Sequence, residues 1–89
     1  MQRFIVRFTG HVQGVGFRMT CVTEASGLNV HGHVSNQSDG SVLMDVDAST
    51  ADGKELVRRI QIARAGYIDD THVESRDSLN RKAGFKIKS

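Results

Sequence analysis

With 89 residues, one cysteine, no proline and a formal net charge of +2, the chain has room for one small domain over 1–89 and none for a second. Hydrophobic residues at 38% and charged residues at 25% lie in the ordinary globular range, which excludes a disordered or fibrous chain. The pI is near 9.0, yet no block of lysines and arginines exists of the kind that neutralises many phosphates, so no nucleic-acid partner is expected.

The first element in chain order is a strand over Arg3 to Thr9, where Phe4, Val6 and Phe8 alternate with Arg3, Ile5 and Arg7. From Arg18 onward Cys21, Ala25 and Leu28 recur at helical spacing, with Gly27 placed to stop the helix. Val30, Gly32 and Val34 alternate with His31 and His33, and the turn chemistry of Asn36 to Gly40 leads into Val42, Met44 and Val46, which predicts a hairpin. Asp52 and Glu55 fit a capping box at the start of a second helix. Leu56, Val57, Ile60 and Ala63 form its apolar stripe, and Gly66 sits at its stop. Thr71 to Ser75 reads as a weak strand centred on Val73, and Phe85 to Lys88 as a closing strand.

That order predicts an α+β fold, a ferredoxin-like split βαβ sandwich with two helices on one face of a mostly antiparallel sheet of four to five strands. Phe4, Val6, Phe8, Val30, Val34, Val42, Met44, Val46, Phe85 and Ile87 share the buried parity. Arg7, His31, His33, Asp45 and Lys86 fall on a face expected to stay open. Cys21 has no partner within the chain, so a reducing compartment is the simplest home, and its place on the apolar stripe marks it as core rather than nucleophile. The N-terminal residues lack the apolar run of a signal peptide, and no stretch approaches the roughly 20 apolar residues of a membrane span. A cytoplasmic monomer with no membrane partner is expected. Asn36-Gln37-Ser38 then matches the glycosylation sequon by accident.

The chemistry is concentrated in Gly10-His11-Val12-Gln13-Gly14-Val15-Gly16-Phe17-Arg18, between the first strand and the first helix. Gly10, Gly14 and Gly16 tolerate positive φ, so main-chain N–H groups can converge on one point. The unpaired N–H groups and positive dipole end of the helix face the same point. Arg18 adds a planar charged fork suited to two phosphate or carboxylate oxygens. The segment reads as an anion cradle. Without Arg18 it would read as a glycine turn, and Asn36 taken alone reads as a turn residue at a hairpin end. His31 and His33 lack the further ligands that zinc needs and are expected to be solvated; no metal is expected. Asp45 and Asp47 read as polar residues of the open face, and Arg81 with Lys82, Lys86 and Lys88 as a solvated basic end.

Gly10 to Arg18 as Gly-x-Val-Gln-Gly-Val-x-Phe-Arg, followed by Gly32-His33-Val34-Ser35-Asn36 and Gly40-Ser41-Val42, resembles the acylphosphatase family over essentially the whole chain. The resemblance implies that an acyl phosphate, a small molecule, is hydrolysed at its carboxyl–phosphate bond by direct attack of water, with no cofactor. It assigns phosphate binding to His11, Val12, Gln13, Gly14, Val15, Gly16, Phe17 and Arg18, and catalysis to Arg18 and Asn36, the latter orienting the water. The sequence departs from the family at His33, where an aromatic residue is usual, and at Ser35, where a basic one is frequent. The likeness extends to the acylphosphatase-like domain of hydrogenase maturation proteins, a unit within a longer chain, whereas 89 residues suggest the free-standing enzyme. Two other readings stay open: a catalytically silent anion-binding module, and a single-stranded RNA binder. The second lacks exposed aromatics for base stacking, since Leu43, Asp45 and Asp47 stand where they would be needed.

Overall fold

A computed structural model describes residues 1–88. The elements are β1 (Gln2–Gly10), α1 (Phe17–Glu24), β2 (Val30–Asn36), β3 (Val42–Ala48), α2 (Thr50–Ala63), β4 (Ile68–Asp77) and β5 (Phe85–Ile87). They form one five-stranded sheet in the order β4-β1-β3-β2-β5. All neighbours are antiparallel except β2 and β5, so the sheet is mixed by one parallel pair at its edge. This is the α+β sandwich that the alternation predicts.

Parity decides which face carries the core. Phe4 stands opposite Val46, Val6 opposite Met44 and Phe8 opposite Val42, while Val34 stands opposite Met44 on the other side of β3. These side chains are buried together with Val12, Phe17 and Cys21 from the α1 side and Leu56 and Ile60 from α2. A one-residue slip of β3 would turn the whole set to the other face, so burial enforces the register. Burial also pushes the Cys21 thiol up to about 12, which leaves it an inert member of the core, as its position on the apolar stripe implies.

Several boundaries differ from the sequence expectation. The second helix begins three residues earlier, because Ser49 rather than Asp52 is its N-cap; the Ser49 hydroxyl accepts from the Asp52 N–H at 3.1 Å. Glu55 instead takes both Arg58 and Arg59 at 2.8 Å. Ala63 is exposed, and Gly53 occupies the buried position, where an added Cβ would meet the Phe4 ring at 2.7 Å. The weak strand at Thr71–Ser75 is a ten-residue edge strand, with Val73 47% exposed because the helices do not reach over it.

The expected open face is partly closed. β4 lies at one edge of the sheet and β5 at the other, so residues 78–84 must cross the face opposite the helices. Asp47 holds this crossing: its carboxylate accepts from the Leu79 N–H at 3.0 Å, the Arg81 N–H at 3.1 Å and the Arg81 Nε at 2.8 Å. Arg81 also donates to Asp45 at 2.8 Å, and Arg3 reaches Asp45 with both Nε and Nη2. The far end of the crossing is tied to β2, where the Gly84 N–H donates to His31 Nδ1 at 3.0 Å and His31 Nε2 meets Asn29 Oδ1 at 2.7 Å. Arg81, Asp45, Asp47 and His31 are therefore structural rather than solvated, and the reason is a long-range crossing with no local sequence signal.

Burial by itself would raise the Asp47 carboxyl, but the Arg81 guanidinium and the two main-chain N–H groups outweigh it and hold it down to about 2. The Arg3 guanidinium, with Arg81 second, holds Asp45 at about 2 as well. Both are folded-state values below the ordinary 3.8, so the stability they contribute is complete above about pH 4 and disappears as pH falls toward 2. A urea-unfolding series across that window is expected to show the loss, at about 2 kcal/mol for Asp47. Asp47→Asn, which aims an amide N–H at donors and leaves Arg81 with Asp45 as its one carboxylate partner, is expected to cost about 3 kcal/mol at neutral pH.

Candidate active site

β1, β2 and β5 run in the same direction and all end on the side of the sheet where α1 begins. The turn from β1 into α1 is built from side chains aimed inward. Val12 and Phe17 are buried, Val15 packs on the core, and the Phe17 ring lies 5.1 Å from that of Phe8. Between them Gly14 and Gly16 both sit at φ 75°, a left-handed conformation that disfavours any residue with a Cβ. The space around both would accept a methyl group, so it is backbone conformation, not crowding, that calls for glycine here.

Three clamps fix the loop. The Gln13 Nε2 donates to the carbonyls of Gln37 at 2.8 Å and Ser41 at 2.9 Å, tying the loop to the turn between β2 and β3. That turn is stiffened in its own right, because the Ser41 N–H and hydroxyl both donate to Asp39 and Arg7 donates to Ser41 Oγ at 2.6 Å. At the loop's start the His11 N–H donates to the Tyr67 carbonyl at 2.9 Å. At its end Arg64, the C-cap of α2, reaches Thr20 Oγ1 at 2.7 Å and the Gly16 carbonyl at 3.3 Å.

The N-terminus of α1 carries no side-chain cap, and Gly16 occupies the N-cap position. Its first-turn N–H groups therefore point into the hollow beside the loop with the positive end of the helix dipole. This hollow, about 150 Å3, is lined by Val12, Gly14, Gly16, Phe17, Arg18, Met19, Asn36 and Ile87. The structure thus brings Val12, Gly14, Gly16, Phe17, Arg18 and Asn36 together. His11, Gln13 and Val15 do not line it, and they face Tyr67, the hairpin and the core respectively. Met19 and Ile87 join the site without having been singled out from the sequence. Met19 follows Arg18 in the first helical turn, while Ile87 arrives only through the parallel pairing of β5, which sets it beside Val34.

Arg18 stands apart electrostatically. Arg3, Arg7, Arg58, Arg59, Arg64, Arg76 and Arg81 each donate to a carboxylate, hydroxyl or carbonyl. Among the described residues Arg18 alone of the arginines has no such partner, and the Asn36 amide has none either. A charged fork and a neutral amide thus share one hollow with uncapped N–H groups, an arrangement complementary to a tetrahedral oxyanion. A larger hollow of about 500 Å3 flanks β5, lined by His33, Arg81, Lys82, Lys86 and Lys88 among others. It has no helix N-terminus, and its guanidinium is already taken by Asp45 and Asp47.

The acylphosphatase family model matches residues 4–87. The chain belongs to the acylphosphatase family. It is 35% identical over 86 residues to an acylphosphatase of Paenarthrobacter aurescens, covering 96% of this chain and 92% of that one. Identity to an acylphosphatase of Rhizobium etli is 41% over 83 residues, 92% of this chain and 88% of the relative. Among solved structures, an acylphosphatase from Bacillus subtilis superposes with a TM-score of 0.90 at 27% identity over the full length of both chains. Full-length HypF, in a phosphate- and nucleotide-bound form, matches at a TM-score of 0.82 and 29% identity, covering 99% of this chain but 12% of that one. The acylphosphatase fold is thus shared with a segment of a much longer protein.

The loop geometry yields two expectations. Gly16→Ala keeps the space but forces a Cβ into the left-handed region, and is expected to cost about 1–2 kcal/mol in unfolding free energy. Gln13→Leu releases the loop from the hairpin that carries Asn36, and a loss of about tenfold in kcat/KM for an acyl phosphate is expected with a smaller change in Tm.

Proposed function

We propose that the hollow between the β1–α1 loop and the end of β2 binds the phosphoryl group of an acyl phosphate and hydrolyses the carboxyl–phosphate bond, giving a carboxylate and inorganic phosphate. The observation that carries this reading is Arg18, without a partner among the described residues, sharing a hollow with Asn36, a turn of glycine main chain and an uncapped helix start. The N–H groups of the loop and of the first helical turn receive the non-bridging oxygens, and Arg18 spans two of them. Asn36 accepts a hydrogen bond from the attacking water and holds it in line with the departing carboxylate. As the phosphoryl group loosens, charge on its equatorial oxygens grows against donors that are already fixed by Gln13, Arg64 and the buried Val12 and Phe17.

A carboxylate is a weak base and leaves without a proton, so the site needs no general acid. The water's proton passes to a phosphoryl oxygen. Neither arginine nor asparagine side chains change charge in the neutral range, so turnover is expected to have no steep enzyme-borne limb between roughly pH 5 and 8. A limb there, persisting after correction for substrate ionisation, would refute the assignment.

The small-molecule substrate class fits a site of this size, and the reading adopts a monomer in the cytoplasm. Among the described residues no helix is long and apolar enough to cross a membrane. The deciding experiment is steady-state hydrolysis of benzoyl phosphate without added metal, comparing the native chain with Arg18→Ala and Asn36→Ala after both variants are shown to fold. Each variant is expected to lose about 3 kcal/mol of transition-state stabilisation, roughly a hundredfold in kcat/KM. Arg18→Lys is expected to recover little, because an ammonium replaces the two-pronged contact by a point charge.

A further inference from the structure

The hollow has two kinds of wall. Its inner side is the main chain, Arg18 and Asn36; its outer rim is Met19, 59% exposed, and Ile87, 36% exposed. Large apolar side chains left this open are few among the described residues, and two of them flank the unpartnered arginine and amide. Behind them the floor is the buried Val12 and Phe17. Once a phosphoryl group occupies Arg18 and the loop N–H groups, the remainder of the ligand has this exposed rim beside it. Among the described residues Arg18 is the single charged one lining the hollow, and the phosphoryl group takes that charge. Ile87 also lines the hollow flanking β5, whose cations Lys82, Lys86 and Lys88 do not line this one.

From this we infer that Met19 and Ile87 form a platform for the acyl group and that the site selects uncharged, apolar acyl phosphates over those with small or anionic acyl chains. The inference rests on the hydrolase reading and adds specificity to it. Apolar acyl surface laid on a thioether and a branched aliphatic side chain leaves water, while a second carboxylate on the ligand would be desolvated there without a partner. Discrimination by an open rim belongs at the lower end of what an apolar contact yields, about tenfold between an aryl and a methyl group.

The test compares kcat/KM for benzoyl phosphate, acetyl phosphate and succinyl phosphate in the native chain, Met19→Gln, Ile87→Thr and the control Val73→Thr, which alters an exposed valine remote from the hollow. Intrinsic differences in leaving-group reactivity cancel when each variant's benzoyl-to-acetyl ratio is divided by the native ratio. The expected result is a fall of about tenfold in that ratio for the two rim variants together and no change for the control. Inhibition by inorganic phosphate reads the cradle separately. Turnover of all three substrates with ratios insensitive to Met19→Gln and Ile87→Thr would overturn the platform and leave the hydrolase reading standing. So would a native preference for succinyl phosphate that is lost in Lys88→Ala. Absence of turnover by the folded native chain would bring down both.

Discussion

The turn from β1 into α1 is pinned by burial on one side and faces the hollow on the other, and the site depends on that asymmetry. Val12 and Phe17 are drawn into the core, which forces the intervening main chain outward through two left-handed glycines. The apolar residues of the turn are thus its anchors, and the groups facing the hollow are main-chain N–H. A cradle of this kind costs little to reorganise on binding, because its donors are held by packing rather than by the ligand.

The charged residues divide between the two ends of the sheet. At the end where β1 begins, Arg3 and Arg81 are locked against Asp45 and Asp47, and the chain segment leading to β5 is fastened there. At the opposite end Arg18 is left without an anion of its own among the described residues. Seating β5 is what the first cluster accomplishes for the second, since the parallel pairing of β5 with β2 delivers Ile87 to the rim of the hollow. A buried ion network remote from the site in this way shapes its outer wall. The network is also sensitive to acid, because its two carboxylates are held charged well below their ordinary range.

His33 and Ser35, where the sequence departs from the family habit, lie on the face opposite the helices, as does the Arg81 network. Burial pushes the His33 imidazole down, and Lys88, Arg81 and Arg3 add to it against the opposing pull of Asp45. The neutral form of the ring is thereby favoured beside a crowded set of cations. The histidine departure alters the packing of the strap side rather than the composition of the hollow.

The element order and most of the core parity were legible in the sequence because each is local, although Ile87, placed with the buried set, is 36% exposed. Arg18 stood out locally, whereas Asn36 taken alone read as a turn residue and was singled out by the family resemblance. Alternation along Phe4, Val6 and Phe8 reports burial on one face, and glycines at fixed offsets before Arg18 report a turn into a helix start. Nothing local marked the long crossing of residues 78–84, so Asp47 looked solvated although it is fully buried, and Arg81 looked like a loose basic end. The start of α2 at Ser49 and the role of Gly53 were hidden for a related reason: capping and close approach to Phe4 depend on where the helix lies over the sheet. Residue types and their periods determined which groups could make an anion site. Only the tertiary structure decided that Arg18 has no partner among the described residues while the other arginines are claimed, and that Ile87 closes the rim, because both depend on which distant strands come to lie side by side.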